Sequence, residues 1–368
     1  MIVLLSAWLG LSLSLGLDVI DLRGDRGELK GSILSSDESS LRYEDQDGNR
    51  QRVAWDLVRD IRLDDDAQPT AMMKTQLKRA DDIWRARSRL QRGDVLLAEP
   101  LFERLFRPSA QNRDETSLII AEGLLRCRLS RGRLMDSILP ALETMRLKRL
   151  GVETDRYAQM GILSDPESQL CIYLPPAWGH ERVGPRVLAQ IDEWDAGGDG
   201  SLAEIAMAYR ILAAHPSGLI PLDVLDGQDW SKGPGVELLS LALESRSESS
   251  EQRRTARDRL RQMFKKSSVW NRPWLRYILG VSLLLEPGEG MRRKGLVELA
   301  WLPAFHGETH PYLAGRAMAM MAAELDRQGE TQSAAMLRQE LLAIYGDHPA
   351  FQSGTLEDDR QSSKEPNL

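Results

Sequence analysis

Apolar residues recur at helical spacing along most of the chain, and the clearest case lies near its C-terminal end. Leu313, Ala317, Met321 and Leu325 share one face of a helix, and a second run with the same period follows Gly329. Because each apolar stripe needs a partner and the other stripe is the nearest one, we predict a helical hairpin. The same period predicts further helices at 187–194, 202–214, 236–244, 251–265, 274–285 and 291–302.

Near the N-terminus the period of the apolar residues is two rather than 3.6. Between residues 18 and 63, five short alternating segments are separated by glycine-bearing turns and by Asp47-Gly48, a dipeptide typical of tight hairpins. Five strands in so short a stretch predict a small closed β-barrel at 17–64.

Gly93, Gly132 and Gly329 each stand between two predicted helices. Glycine accepts a positive φ at the end of a helix, which lets the next helix fold back on the first. Alanine follows five positions later in two of the three cases, at Ala98 and Ala334, and lets the paired helices approach closely. We interpret the three glycines as structural turn residues of related helical hairpins.

An apolar residue follows twelve positions after the glycine in the same two cases, at Leu105 and Leu341. This arrangement of turn glycine, small residue and apolar residue resembles the tetratricopeptide-like helical-repeat superfamily. The order of Leu29, Gly31, a hairpin and Trp55 resembles the Sm-like barrels attached to exported bacterial proteins. Together the two resemblances imply a mainly α fold, in which a solenoid of antiparallel helix hairpins follows a small five-stranded β-barrel.

Composition shifts divide the rest of the chain. An acidic run and a proline mark a linker between the barrel and the helices, glycine and proline pairs break up the middle of the helical part, and the C-terminal end is polar without an apolar period. The predicted order is a linker at 65–70, helical repeats at 71–155, an irregular helical segment at 156–234, further repeats at 235–350 and a disordered tail at 351–368.

Residues 1–16 are almost wholly apolar and are followed at once by polar residues. A helix of this length is too short to cross ~30 Å of hydrocarbon. Ser14 and Gly16 supply the small side chains that a signal peptidase needs. We predict a signal peptide cleaved after Gly16, a periplasmic or cell-envelope location and no integral membrane span after cleavage; the alternative is a buried strand or an uncleaved anchor.

The overall charge changes the range of expected partners. A formal net charge of -7 argues against attraction of the whole protein to nucleic acid. One predicted helix nevertheless has a basic face, which we interpret as a solvated surface rather than a binding site. That face consists of Arg253, Arg254, Arg257, Arg261, Lys265 and Lys266.

No residue pattern in the chain predicts a metal or a cofactor. His306 and His310 have the spacing of two zinc ligands on a helix, but Gly307 occupies the position where a zincin has glutamate. Cys127 and Cys171 lack the short spacing of a metal or redox motif and could form one disulfide or remain buried thiols.

The irregular segment at 156–234 contains residues that could form a sugar site. Trp178, His180, Trp194 and Asp195 lie together with further carboxylates near a glycine-rich turn. Aromatic rings for stacking and carboxylates for proton transfer are what a sugar site requires. This pattern predicts, as the alternative function, an envelope carbohydrate-binding or carbohydrate-hydrolysing protein. The other interpretation of the same residues is that they are helix caps and solvated turn residues.

The leading hypothesis is a non-catalytic, exported helical-repeat scaffold that mediates protein–protein interaction in the bacterial cell envelope. Stacked helix pairs can recognise a protein partner over a large surface without specialised residues. Candidate groove residues on the first helices of the hairpins are Trp84, Arg87, Arg126 and Arg316.

Overall fold

The computed structural model describes residues 17–24, 26–37, 39–64, 67–177, 184–216, 218–233, 235–346 and 348. The predicted signal peptide, the predicted tail at 351–368, and Trp178 and His180 lie outside these residues. The described chain is mainly helical, with 13 α-helices and one five-stranded antiparallel sheet. It forms two compact units, one comprising the chain up to residue 105 with 114–116, and the other comprising 106–113 with the chain from 117 onward.

The five predicted strands are confirmed, and they form one sheet in the order β4-β3-β2-β1-β5. All four neighbouring pairs are antiparallel. The tight turn between β3 and β4 contains Gly48 at a φ of +80°, as the hairpin dipeptide requires. The strands are β1 (Asp18–Leu22), β2 (Glu28–Ser36), β3 (Ser40–Asp45), β4 (Arg50–Ala54) and β5 (Val58–Arg62).

The predicted closure of this sheet into a barrel is wrong, because β4 and β5 are its two open edges. Alternation along the strands gives the sheet one apolar face, and a helix completes the burial of that face. Met73 and Ala80 of α1 (Ala71–Gln91) join the core that contains Ile20, Leu41 and Trp55. With this face covered by α1, burial of the apolar residues does not require a closed barrel.

The first unit also contains a helical hairpin. Thr70 caps α1 by accepting a hydrogen bond from the backbone N–H of Met73 at 3.2 Å. Gly93 has a φ of +86° in the turn before α2 (Val95–Leu105), which packs on α1. Ala98 of α2 is completely buried.

The second unit contains the remaining described helices, except that the first two residues of α3 belong to the first unit. α10 packs on α11, α11 on α12 and α12 on α13, and most of the buried apolar side chains of this unit join one continuous core. Gly132 and Gly329 have φ values of +65° and +81° in turns between helices. The helices are α3 (Glu115–Ser130), α4 (Ile138–Arg149), α5 (Gly184–Asp192), α6 (Gly200–Ala214), α7 (Leu222–Leu225), α8 (Val236–Glu244), α9 (Ser250–Lys265), α10 (Arg272–Leu284), α11 (Glu289–His306), α12 (Pro311–Arg327) and α13 (Thr331–Tyr345).

The basic face predicted on α9 is only partly a solvated surface. Arg253 and Arg257 are buried, and both donate hydrogen bonds to one carboxylate oxygen of Glu286, at 3.0 and 2.7 Å. The two guanidinium groups hold the pKa of Glu286 below its usual value against the opposing effect of burial. The interpretation of these two arginines as solvent-exposed is therefore wrong, because Glu286 supplies an inward-facing partner from a distant part of the sequence.

None of the described helices combines the length and the apolar character needed to cross a membrane.

Candidate functional site

A cleft of 610 Å³ lies in the second unit, where α12 begins and α13 ends. Its other wall is formed by the end of α3 and by the irregular chain that carries Tyr173. Volumes of this size are typical of sites that bind small molecules. The side chains that line it include Arg126, Tyr173, His310, Tyr312, Ile344 and His348.

His348 is anchored against α12 by a specific set of contacts. Its ring nitrogen Nε2 lies 2.9 Å from the carbonyl oxygen of Tyr312, and the two rings are stacked with centroids 5.0 Å apart. Because a carbonyl only accepts, Nε2 carries the proton. A β-carbon at Gly315 would lie 2.5 Å from Cδ2 of His348, so the absence of a side chain at Gly315 makes room for the imidazole.

His310 stands directly before α12 and faces two other rings. Its ring centroid is 6.4 Å from that of Tyr173 and 6.3 Å from that of His306. Burial, with a smaller contribution from the charge of His306, lowers the pKa of His310 to about 4. Burial likewise lowers the pKa of His348 to about 4. Both imidazoles bordering the cleft are therefore neutral at pH 7.

Arg126 brings a positive charge to the cleft, but its donors are already engaged. Its guanidinium donates to Glu122 at 2.7 Å and to the carbonyl oxygens of Met160 and Gly161 at 3.0 and 2.9 Å. It also lies over the ring of Tyr157, at 5.3 Å from the centroid. Arg126 thus ties α3 to the chain at 160–161, and its charge is compensated within the protein.

The structure does not assemble a metal site from the two histidines that have zinc-like spacing. His306 ends α11 and His310 precedes α12, so the pair does not lie on one helix. Among the described residues there is no group of three or more His, Cys, Asp or Glu that could hold a metal ion. Cys127 and Cys171 are buried thiols, and burial raises the pKa of Cys171 to about 12.

The predicted sugar-contacting residues that the structure describes have structural partners. The indole N–H of Trp194 donates to Glu143 at 3.1 Å, and Asp195 accepts a hydrogen bond from the backbone of Gly197 at 2.9 Å. Asp199 caps α6 and accepts from Arg149 at 3.1 Å. These side chains border a groove of 910 Å³, but their polar atoms are largely engaged in holding the local fold.

The four candidate groove residues lie in different environments. Arg87 donates to the buried carboxylate of Asp56 at 2.9 Å, and the Trp84 ring lies 5.2 Å from the guanidinium of Arg23. Arg126 borders the cleft, whereas Arg316 is buried on α12 and borders a separate cavity.

Sequence reasoning missed His310, Tyr312 and His348 as members of one site. The signal that could have pointed to them is Gly315, a helix-weakening residue one turn after Tyr312 in an otherwise regular amphipathic helix. A search of the chain against protein-family models, curated proteins and solved structures finds no match.

Proposed function

We propose that the chain is an exported, non-catalytic helical-repeat scaffold that binds a protein partner in the bacterial cell envelope. The successive packing of α10, α11, α12 and α13 supports an arrangement like that of tetratricopeptide-like repeats. Helix hairpins that stack in this way bury a continuous core and leave an extended surface for recognition of another protein.

The observation that carries the proposal is the chemical character of the cleft. Tyr173 and Ile344 are partly exposed at its border, at 43% and 58%. His310 and His348 present neutral rings, and the charge of Arg126 is compensated by Glu122. A cleft with these properties favours an apolar or aromatic side chain of a partner over a charged small molecule.

A cross-linking and pull-down experiment on the envelope fraction tests the proposal. Ile344→Asp places an unpaired carboxylate at the cleft, and Met336→Asp places the same group on α13 away from it, at a residue that is 64% exposed. We expect one stoichiometric partner to be captured by the wild-type chain and by Met336→Asp but not by Ile344→Asp. Equal capture by both variants would show that the cleft is not the binding site.

The carbohydrate alternative stays a prediction, and the groove beside Trp194 is where it would act. A peptidoglycan pull-down with wild type and Trp194→Ala separates the two functions. Sugar binding that depends on Trp194 would contradict a purely protein-binding scaffold.

Export is a separate part of the proposal and has its own test. N-terminal sequencing of the protein from its native cell should give a chain that starts after Gly16. An intact Met1 in the cytosolic fraction would contradict export.

A further inference from the structure

A small cavity of 60 Å³ lies inside the second unit between the end of α8, α10 and α12. Two arginines border it, Arg246 just after α8 and Arg316 on α12. Their exposed fractions are only 8% and 9%. The cavity is separate from the cleft described above and has no described lining residue in common with it.

The partners of Arg246 are neutral. Its Nε donates to the carbonyl oxygen of Gly218 at 3.0 Å, and its Nη2 donates to that of His215 at 2.6 Å. Burial lowers the pKa of Arg246 to about 10, while Tyr277 opposes this effect and the charge of Arg316 adds to it. Arg246 therefore remains charged at pH 7.

Arg316 has no carboxylate partner among the described residues either; burial opposes its charge, but Tyr277 and Tyr312 raise its pKa above the ordinary value. Its side-chain hydrogen-bond partner is the hydroxyl of Tyr277, and its buried Nε has no hydrogen-bond partner. Within the part of the chain that the structure describes, no carboxylate forms an ion pair with Arg246 or Arg316. The other deeply buried arginines of this unit behave differently, since each has a carboxylate partner: Arg126 pairs with Glu122, Arg146 with Glu143, and Arg253 and Arg257 with Glu286.

Two buried guanidinium groups without an acid are energetically unfavourable. Each loses its hydration, and the two positive charges repel each other more strongly inside the protein than in water. An anion in the cavity would remove both penalties at once and supply an acceptor for the unpaired Nε of Arg316.

We propose that this cavity binds a small tetrahedral oxyanion of the phosphate or sulfate class, held between Arg246 and Arg316. One water occupies about 10–15 Å³ of such a volume, so a cavity of 60 Å³ has room for about four to six oxygen-sized positions. A doubly charged anion balances both arginines, whereas a single carboxylate balances one. Arginine presents several N–H donors in a planar fork that suits phosphate oxygens.

Calorimetric titration with sodium phosphate and with sodium sulfate tests the proposal, with sodium chloride at equal ionic strength as the reference. We expect the wild-type chain to bind one oxyanion and to unfold at a higher temperature in its presence than in chloride. Arg316→Met keeps the size and apolar stem of the side chain but removes the charge, and it should weaken binding at least tenfold. Arg254→Met removes an exposed arginine of α9 and should leave binding unchanged.

A second variant keeps the test decisive if Arg316→Met does not fold. Arg316→Lys retains the charge but loses the planar fork, so it should fold and bind the oxyanion more weakly than wild type. The proposal is overturned if the wild-type chain binds neither phosphate nor sulfate beyond the chloride reference. It is also overturned if the folded Arg316 variants bind as tightly as Arg254→Met.

Discussion

The close approach of α10 and α11 can be tested at a single glycine. A β-carbon added at Gly295 would lie 2.9 Å from the carbonyl oxygen of Gly280, 3.0 Å from Cδ2 of Leu284 and 3.1 Å from Cβ of Leu283. The first of these atoms belongs to the backbone of the facing helix and cannot rotate away. Gly295→Ala therefore forces the two helices apart or distorts one of them.

The magnitude follows from two opposing effects. Overpacking of a well-packed core typically costs about 1–3 kcal/mol, and replacing glycine by alanine within a helix contributes up to about 1 kcal/mol in the other direction. The expected net loss is ~0–3 kcal/mol relative to wild type, and ~1–3 kcal/mol relative to a glycine-to-alanine change that causes no overpacking. The second difference corresponds to about 2–12 °C in the unfolding temperature of a unit of this size.

Thermal and urea unfolding of two matched variants measure this effect. Gly290→Ala makes the same substitution in the same helix, but its β-carbon would meet no atom within 4 Å. We expect Gly290→Ala to be as stable as wild type or more stable, and Gly295→Ala to be less stable. If Gly295→Ala matched or exceeded Gly290→Ala, the packing of α10 on α11 derived above would be wrong.

Two further changes test the buried polar groups. Glu286→Gln leaves Arg253 and Arg257 without their shared negative charge, and it should lower the free energy of unfolding in urea by about 3 kcal/mol. The control Glu289→Gln removes an exposed ion pair and should change that free energy by no more than about 0.5 kcal/mol. His348 has a folded pKa of about 4 against an ordinary value of 6.5, so its stabilising contribution is complete above pH 6.5 and is lost as the pH falls toward 4. Between pH 7 and pH 4.5, the free energy of unfolding should fall by about 2–3 kcal/mol less in His348→Gln than in wild type. An equal fall in both proteins would contradict the burial of a neutral imidazole.

Local periodicity was sufficient to predict the five strands, because alternation along each segment records which face is buried. It could not predict whether the edges of the sheet meet. That outcome depends on α1, whose Met73 and Ala80 complete the apolar core of the sheet. Whether the sheet closes into a barrel or has its apolar face covered by a helix depends on contacts between residues distant in sequence.

Contacts between residues distant in sequence also determine the candidate cleft and the environment of the basic face of α9. Tyr173, His310 and His348 are separated by long stretches of chain, and only folding brings their rings to one cleft. Arg253 and Arg257 look like surface residues in the sequence, because their partner Glu286 lies about 30 residues away, between α10 and α11. Sequence patterns assign residues to helix faces, but they do not identify the group that each face meets.

The most direct test of the central claim is the affinity of the purified chain for the partner captured from the envelope. Titration should give the same dissociation constant for wild type and Met336→Asp, and a constant at least tenfold higher for Ile344→Asp, a loss of about 1.4 kcal/mol or more. Equal constants for all three proteins would place the partner elsewhere and contradict the assignment of the cleft as the binding site.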